Sequence, residues 1–188
     1  MKAHHLGVVA LTVVAVAMVA LGMVAIPVVA SEASSVAPCT SAQLAITGVA
    51  AQGAAVSAGE VVEYHNRSAV ACSLHGYPTV VMLGDAAHRA LLARDERNGY
   101  LGGWSGYSSK SGPTPLPTVD LRARGGVASS LIEWVGCSTG QQRGCVIYHD
   151  WWVEPPGATR PVDLRGTALV LRYPSANPVV PGNSGIAS

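Results

Sequence analysis

Two hydrophobic patterns divide this chain. From Leu6 to Ala30 every residue is apolar or small except Thr12, and nothing alternates. Beyond Ala30 the apolar residues come in short runs separated by Gly, Pro, Asn and Ser. Leu44 and Ile46, with Gly48 next in phase, alternate with Ala45 and Thr47. Val62 and Tyr64 alternate with Val61, Glu63 and His65. A period of two is that of a strand with one packed and one wet face. Further runs predict strands at Cys72–Leu74, Thr79–Leu83, Ala90–Arg94, Thr118–Leu121, Val127–Val135, Cys145–Tyr148 and Ala168–Tyr173, with a short edge strand at Arg160–Leu164. Residues Ala51–Gly59 read as a loop of small residues. Asp95–Pro117 is Gly-, Ser- and Pro-rich and reads as an exposed insertion. Pro174–Ser188 reads as a flexible tail. Seven to nine short strands with regular turn signals predict an all-β, immunoglobulin-like antiparallel sandwich. The absence of alternating helical segments argues against a doubly wound sheet.

The apolar run sets the expected compartment. It exceeds the h-region of a secretory signal, about 7–15 residues, and reaches the roughly 20 residues needed to span a bilayer. Pro27 limits a continuous helix, and Val28-Val29-Ala30 offers small residues for signal cleavage. Residues 1–30 are therefore a signal peptide or a retained anchor, 31–38 a linker, and 39–173 the β-domain with its insertion at 95–117. Cys39 follows Pro38, a poor context for lipidation. The expected location is secreted or cell-envelope. Membrane contact would come only through residues 6–30 if they are kept.

Four cysteines, Cys39, Cys72, Cys137 and Cys145, all lie outside the apolar run. An even count in an exported chain predicts two disulfides, and four cysteines allow three connectivities. Close Cys-x-x-Cys pairs are missing, so His65, Cys72 and His75 do not read as a metal site; no metal or cofactor is expected. Twelve Lys and Arg stand against 11 Asp and Glu. That balance argues against a nucleic-acid partner, which needs a basic patch.

Cys72-Ser73-Leu74-His75-Gly76-Tyr77-Pro78, six residues after Asn66 and downstream of Cys39 and Leu44, resembles the signature of domain-of-unknown-function family 4232, found in exported actinobacterial proteins. Asp85 and a later Cys-containing strand region also fit, and the resemblance spans about residues 38–173. The Asp85-Ala86-Ala87-His88 and Arg124-Gly125-Gly126 turns depart from its pattern, and the insertion is long. The resemblance implies a fold and no activity. It implies structural roles: Asn66 closing a strand, Leu74 in the core, Gly76 adopting a backbone denied to other residues, Tyr77 burying its ring, and Pro78 fixing the exit. Cys39–Cys72 would tie the first strand to the third. Cys137–Cys145 would close a short loop containing Gly140 and Gly144.

No catalytic set emerges. Gly103-Trp104-Ser105-Gly106 lacks the glycine that a nucleophile elbow needs two residues after its serine. Lys110 has Tyr107, not Ser, three positions before it. His149 and Asp150, as strand neighbours, should face opposite ways. The aromatic residues are the better lead. There is no Phe, but there are four Trp and six Tyr, residues suited to half-wet surfaces. Tyr100, Trp104 and Tyr107 in the insertion, and Tyr148, Trp151 and Trp152 before Pro155, are candidate binding residues. The competing assignment has Trp134 and Trp152 packing the core while loop rings cover it. The expected function is a non-enzymatic exported binding module for an envelope glycan or protein. The alternatives are a cell-wall hydrolase or transferase and a purely structural envelope protein.

Overall fold

The computed structural model describes residues 36–54, 56–84, 89–102, 115–137 and 144–186. The apolar run and Trp104, Tyr107 and Lys110 lie outside them. After a single 3₁₀ turn at Ser41–Gln43, strand β1 (Leu44–Ala54) forms a long hairpin with β2 (Ser57–Asn66), in register from Leu44↔Asn66 to Ala51↔Gly59, with Ala54↔Ser57 beyond a shift. The expected Ala51–Gly59 loop is therefore mostly strand. Its small side chains give little packing signal, but its backbone groups still find partners in the ladder.

Strands β3 (Cys72–His75), β4 (Thr79–Gly84), β5 (Leu91–Leu92), β6 (Arg94–Asp95) and β7 (Thr118–Leu121) follow, then β8 (Val127–Val135) and β9 (Val146–Glu154). Four short strands end the fold: β10 (Val162–Leu164), β11 (Ala168–Val170), β12 (Ser175–Ala176) and β13 (Val180–Pro181). One sheet runs β1-β2-β8-β12-β6, with β13 also on β8; the second runs β10-β9-β4-β5, with β11 also on β9; β3 and β7 form a separate pair. All these pairings are antiparallel except β12 with β6.

Alternate residues of the two large sheets meet in one core. Val62, Tyr64, Ala128, Ile132 and Trp134 come from the first, and Val80, Met82, Tyr148, Trp151 and Val153 from the second. Trp134 and Trp151 meet edge to face, with ring centroids 5.1 Å apart and planes at 76°, a geometry favoured by the ring quadrupoles. The all-β sandwich read from the pattern is the fold observed.

A bulge sets which tryptophan enters the core. Met82 pairs Trp151 and Gly84 pairs Tyr148, so β9 has one more residue than β4 across this stretch. The extra residue reverses the phase of the alternation. Tyr148 and Trp151 are both buried, while His149, Asp150 and Trp152 are exposed. The core pair is thus Trp134 with Trp151, not Trp134 with Trp152. His149 and Asp150 are both solvent-facing rather than split between core and solvent.

The C-terminal segment is part of the fold. Ser175, Ala176, Asn177, Val179 and Val180 are buried. Asn177 N–H donates to Leu131 O (2.8 Å), Val179 N–H to Gly76 O (2.9 Å), and Gly182 N–H to Val127 O (3.1 Å). The tail expected from Pro174 onward is corrected accordingly. Its strands are only two residues long and interrupted by prolines, too short to show a period. Their pairing with β8 explains why Ala128 to Trp134 are all buried: inner residues meet the other sheet, and outer residues meet the returning chain.

The family signature serves this architecture. Cys39–Cys72 and Cys137–Cys145 are the two disulfides, with Cα separations of 4.8 and 6.4 Å. Cys39 N–H donates to Ser73 O and Ser73 N–H to Ala37 O, each at 2.9 Å, so backbone pairing and cross-link hold the same entry. The buried Asn66 amide donates to Val70 O, Leu121 O and Arg122 O, and its oxygen accepts from Ser68 N–H and Oγ. Gly76 has φ +100° with open space where a Cβ would stand, so conformation rather than crowding requires glycine there. Leu74 and Pro78 are buried and Tyr77 is half-buried.

Candidate functional site

The sequence candidates separate in space. Tyr148 and Trp151 are core residues, 6% and 1% exposed. Trp151 presents no surface to a ligand, and Tyr148 reaches solvent only at the edge of a cavity, so the two do not form the expected platform with Trp152. Trp152 is 45% exposed on the outer face of β9. It pairs across the ladder with Val81 and Asp163, and Val81 pairs in turn with Leu92, which is also exposed. Tyr100 lies elsewhere and is 74% exposed.

Tyr100 is carried by the first residues of the insertion, which dock on the outer face of β8. Gly59 makes this possible. A side chain there would press on Ile132 O and the Leu101 side chain, so the bare backbone leaves room for Leu101. The Leu101 N–H donates to Glu133 Oε2 at 2.8 Å, and Gly99 packs so closely on Glu133 Oε1 that no side chain fits between. Glu96 N–H donates to Ala176 O (3.0 Å), and Asn177 Nδ2 donates to Glu96 O (2.8 Å). Gly102 rests against Ile186, and Gly185 against Leu131. The insertion's start and the C-terminal segment therefore cover β8 together.

Their meeting leaves a cavity of about 170 Å³ lined by Ser57, Glu96, Tyr100, Glu133, Trp134, Val135, Tyr173 and Ser175. Glu133 is its unusual member. In strict alternation it belongs to the solvent face, yet it is only 5% exposed. Its Oε1 has no hydrogen-bond partner among the described residues. Burial pushes its carboxyl above the ordinary range. The Leu101 and Tyr100 backbone bonds pull it back, and the Glu96 charge pushes it up further. A buried carboxylate oxygen without a partner is costly.

Tyr173, at the end of the predicted Ala168–Tyr173 strand, is 61% exposed and lines this cavity. The Arg94 guanidinium stacks over its ring, 4.3 Å from the centroid. Tyr173 also borders a second cavity of about 300 Å³, between Leu91, Tyr148, Val170 and Arg172. The signal that could have found this rim was the pairing of two exposed tyrosines with an acidic residue in a buried strand, but their proximity is purely tertiary. Among the described residues no group of three or more His, Cys, Asp or Glu could hold a metal ion. His75 Nδ1 lies 3.1 Å from Pro117 O, and His65 Nε2 lies 2.8 Å from Glu63 Oε2. Both histidines have local structural partners. No described helix is long and apolar enough to cross a membrane.

No curated protein and no solved structure matches the chain. The family model described as Domain of unknown function (DUF4232) matches residues 39–184, and the chain belongs to that family.

Proposed function

We propose that this family member is an exported, non-enzymatic binding module that takes an envelope glycan or protein at the Tyr100–Tyr173 rim. Export is supported by the apolar segment Leu6–Ala30 and by two disulfides, which persist in oxidising compartments. The observation that carries the binding site is Glu133. A carboxylate with an unpartnered oxygen is buried beside two exposed aromatic rings, on a strand held from both sides. Aromatic rings on a rigid β-scaffold offer contact area at little conformational cost.

The test is capture of envelope components by immobilised residues 31–188, compared with Tyr100→Ala and Tyr173→Ala. Both rings are exposed, so the variants should fold. Loss of the captured species in both variants supports the reading. Undiminished capture would move the site elsewhere, with the Trp152–Val81–Leu92 row tested next. Turnover of cell-wall glycan or peptide that disappears in Glu133→Gln would make the rim a catalytic site and overturn the non-enzymatic reading.

A further inference from the structure

We propose that the group received at this rim is an organic ammonium, quaternary or tertiary, on the ligand; this rests on the rim being the binding site. Two exposed aromatic residues, Tyr100 and Tyr173, and two acidic residues, Glu96 and Glu133, line one cavity of about 170 Å³; Trp134 borders it too, but its ring packs inward on Trp151. Ring faces and carboxylates both attract positive charge, and an aromatic cage is the arrangement that recognises alkylated ammonium groups. The volume is below the roughly 300–1,000 Å³ of sites that enclose a whole small molecule. It accepts the end of a chain, with the remainder of the ligand outside.

The hydrogen bonds narrow the cation further. Glu133 Oε2 already accepts from Leu101 N–H, and Oε1 lies beneath Gly99. The carboxylate therefore has no free pair of oxygens for the two-pronged grip that a guanidinium seeks. An alkylated ammonium asks for charge and ring faces, not an exposed pair of acceptors. A hard metal ion asks for about six oxygen ligands, whereas the exposed part of this wall is largely the two tyrosines. The wall also explains the state of Glu133. Two carboxylates face one small space, and a cation there would relieve their repulsion. The tyrosine face stacked on Arg94 shows the same chemistry within the protein. That fixed charge also opposes a second cation, so binding of an isolated ammonium should be weak, in the millimolar range.

The experiment titrates the folded domain, residues 31–188, with choline and with its uncharged isostere 3,3-dimethylbutan-1-ol, following Trp and Tyr emission and ligand NMR linewidths. Choline should saturate, with the isostere at least roughly tenfold weaker, a difference of about 1.4 kcal/mol. Glu133→Gln keeps an oxygen for Leu101 N–H and removes the charge, and should weaken choline roughly tenfold. Tyr100→Ala should do the same, while Tyr100→Phe keeps the ring and should bind as the parent does. Equal binding of choline and isostere would overturn the proposal. So would full choline binding by both Glu133→Gln and Tyr100→Ala, each still unfolding cooperatively in urea. If choline fails to bind but envelope capture still depends on Tyr100 and Tyr173, the cation assignment falls and the binding site stands. If neither depends on those rings, the site itself is misplaced.

Discussion

Cutting the chain after Tyr173 should abolish cooperative folding of the domain. Val179 and Val180 are fully buried, as are Ala176 and Asn177. Burying a valine side chain stabilises by about 1.5–3 kcal/mol, so the two valines together contribute roughly 3–6 kcal/mol. The cut also removes the Asn177–Leu131, Val179–Gly76 and Gly182–Val127 backbone bonds and uncovers the outer face of β8. A domain of this size is stable by only about 5–15 kcal/mol, so the truncated chain should lose most of it. Point variants give a graded version. Val179→Ala acts on the main core, to which Val179 belongs. Val180→Ala acts through the segment lying on β8. Each should cost about 1.5–3 kcal/mol. With a urea slope of roughly 2 kcal/mol/M, each midpoint should fall by about 1 M. Emission from the buried Trp134–Trp151 pair reports the transition. A truncated chain that unfolds at the parent midpoint would refute the reasoning and restore Pro174–Ser188 as a tail.

The bulge in β9 predicts opposite behaviour for adjacent tryptophans: Trp151→Ala should cost about 3–5 kcal/mol and Trp152→Ala less than about 1 kcal/mol, measured by urea unfolding. Removing Cys39–Cys72, a separation of 33 residues, should cost about 4 kcal/mol in the chain-entropy model, against about 2.5 kcal/mol for Cys137–Cys145 at 8. Midpoints of the two double-alanine variants, with non-reducing peptide mapping of the parent, check both size and pairing. Glu133 has its carboxyl raised above the ordinary range mainly by burial. Its contribution to stability is therefore fully present below the usual glutamate range and is lost as pH rises through the raised value. Glu133→Gln should gain stability relative to the parent between pH 4 and pH 7; a difference that does not change with pH would sink this assignment.

The alternation of Leu44–Gly48, Val61–His65 and Thr118–Leu121 carries enough information to place those strands, because each has one face in the core. It also carries the fold class. The period fails where a tertiary event intervenes. Counting in twos from Tyr148 puts Asp150 and Trp152 inside, and the extra residue opposite β4 puts Trp151 there instead. Nothing local in the Tyr148–Trp152 sequence marks the slip. β12 and β13 are two residues each, and their reason for being strands lies in β8, more than forty positions earlier. The composition of Asp95–Pro117 reads as an exposed insertion, yet its first residues dock through Leu101 while Tyr100 stays in solvent. The cysteine pairing was legible because the family signature fixes Cys72 at the start of a strand beside the incoming Cys39. The rim was not legible, because Tyr100, Glu133 and Tyr173 come from three separate segments.

Glu133 is hard to explain as a structural residue alone. A valine or leucine at this place on β8 would face Gly59 and Leu101 and gain from burial as Leu131 does, with no charge to desolvate. The carboxylate receives a bond from Leu101 N–H, one that holds the insertion down. A neutral glutamine could accept that bond too, without the added strength of an ionised acceptor. Beyond strengthening the Leu101 and Tyr100 backbone bonds, the charge brings desolvation, repulsion toward Glu96 and an oxygen without a partner. Stability is therefore lowered at neutral pH by a group whose electrostatic field falls on a cavity edged by exposed tyrosines. Local departures from the rules that make a chain fold tend to mark places where binding, not folding, sets the residue. On that argument the negative charge of Glu133 is the part of this rim that the fold does not need and a positively charged ligand does.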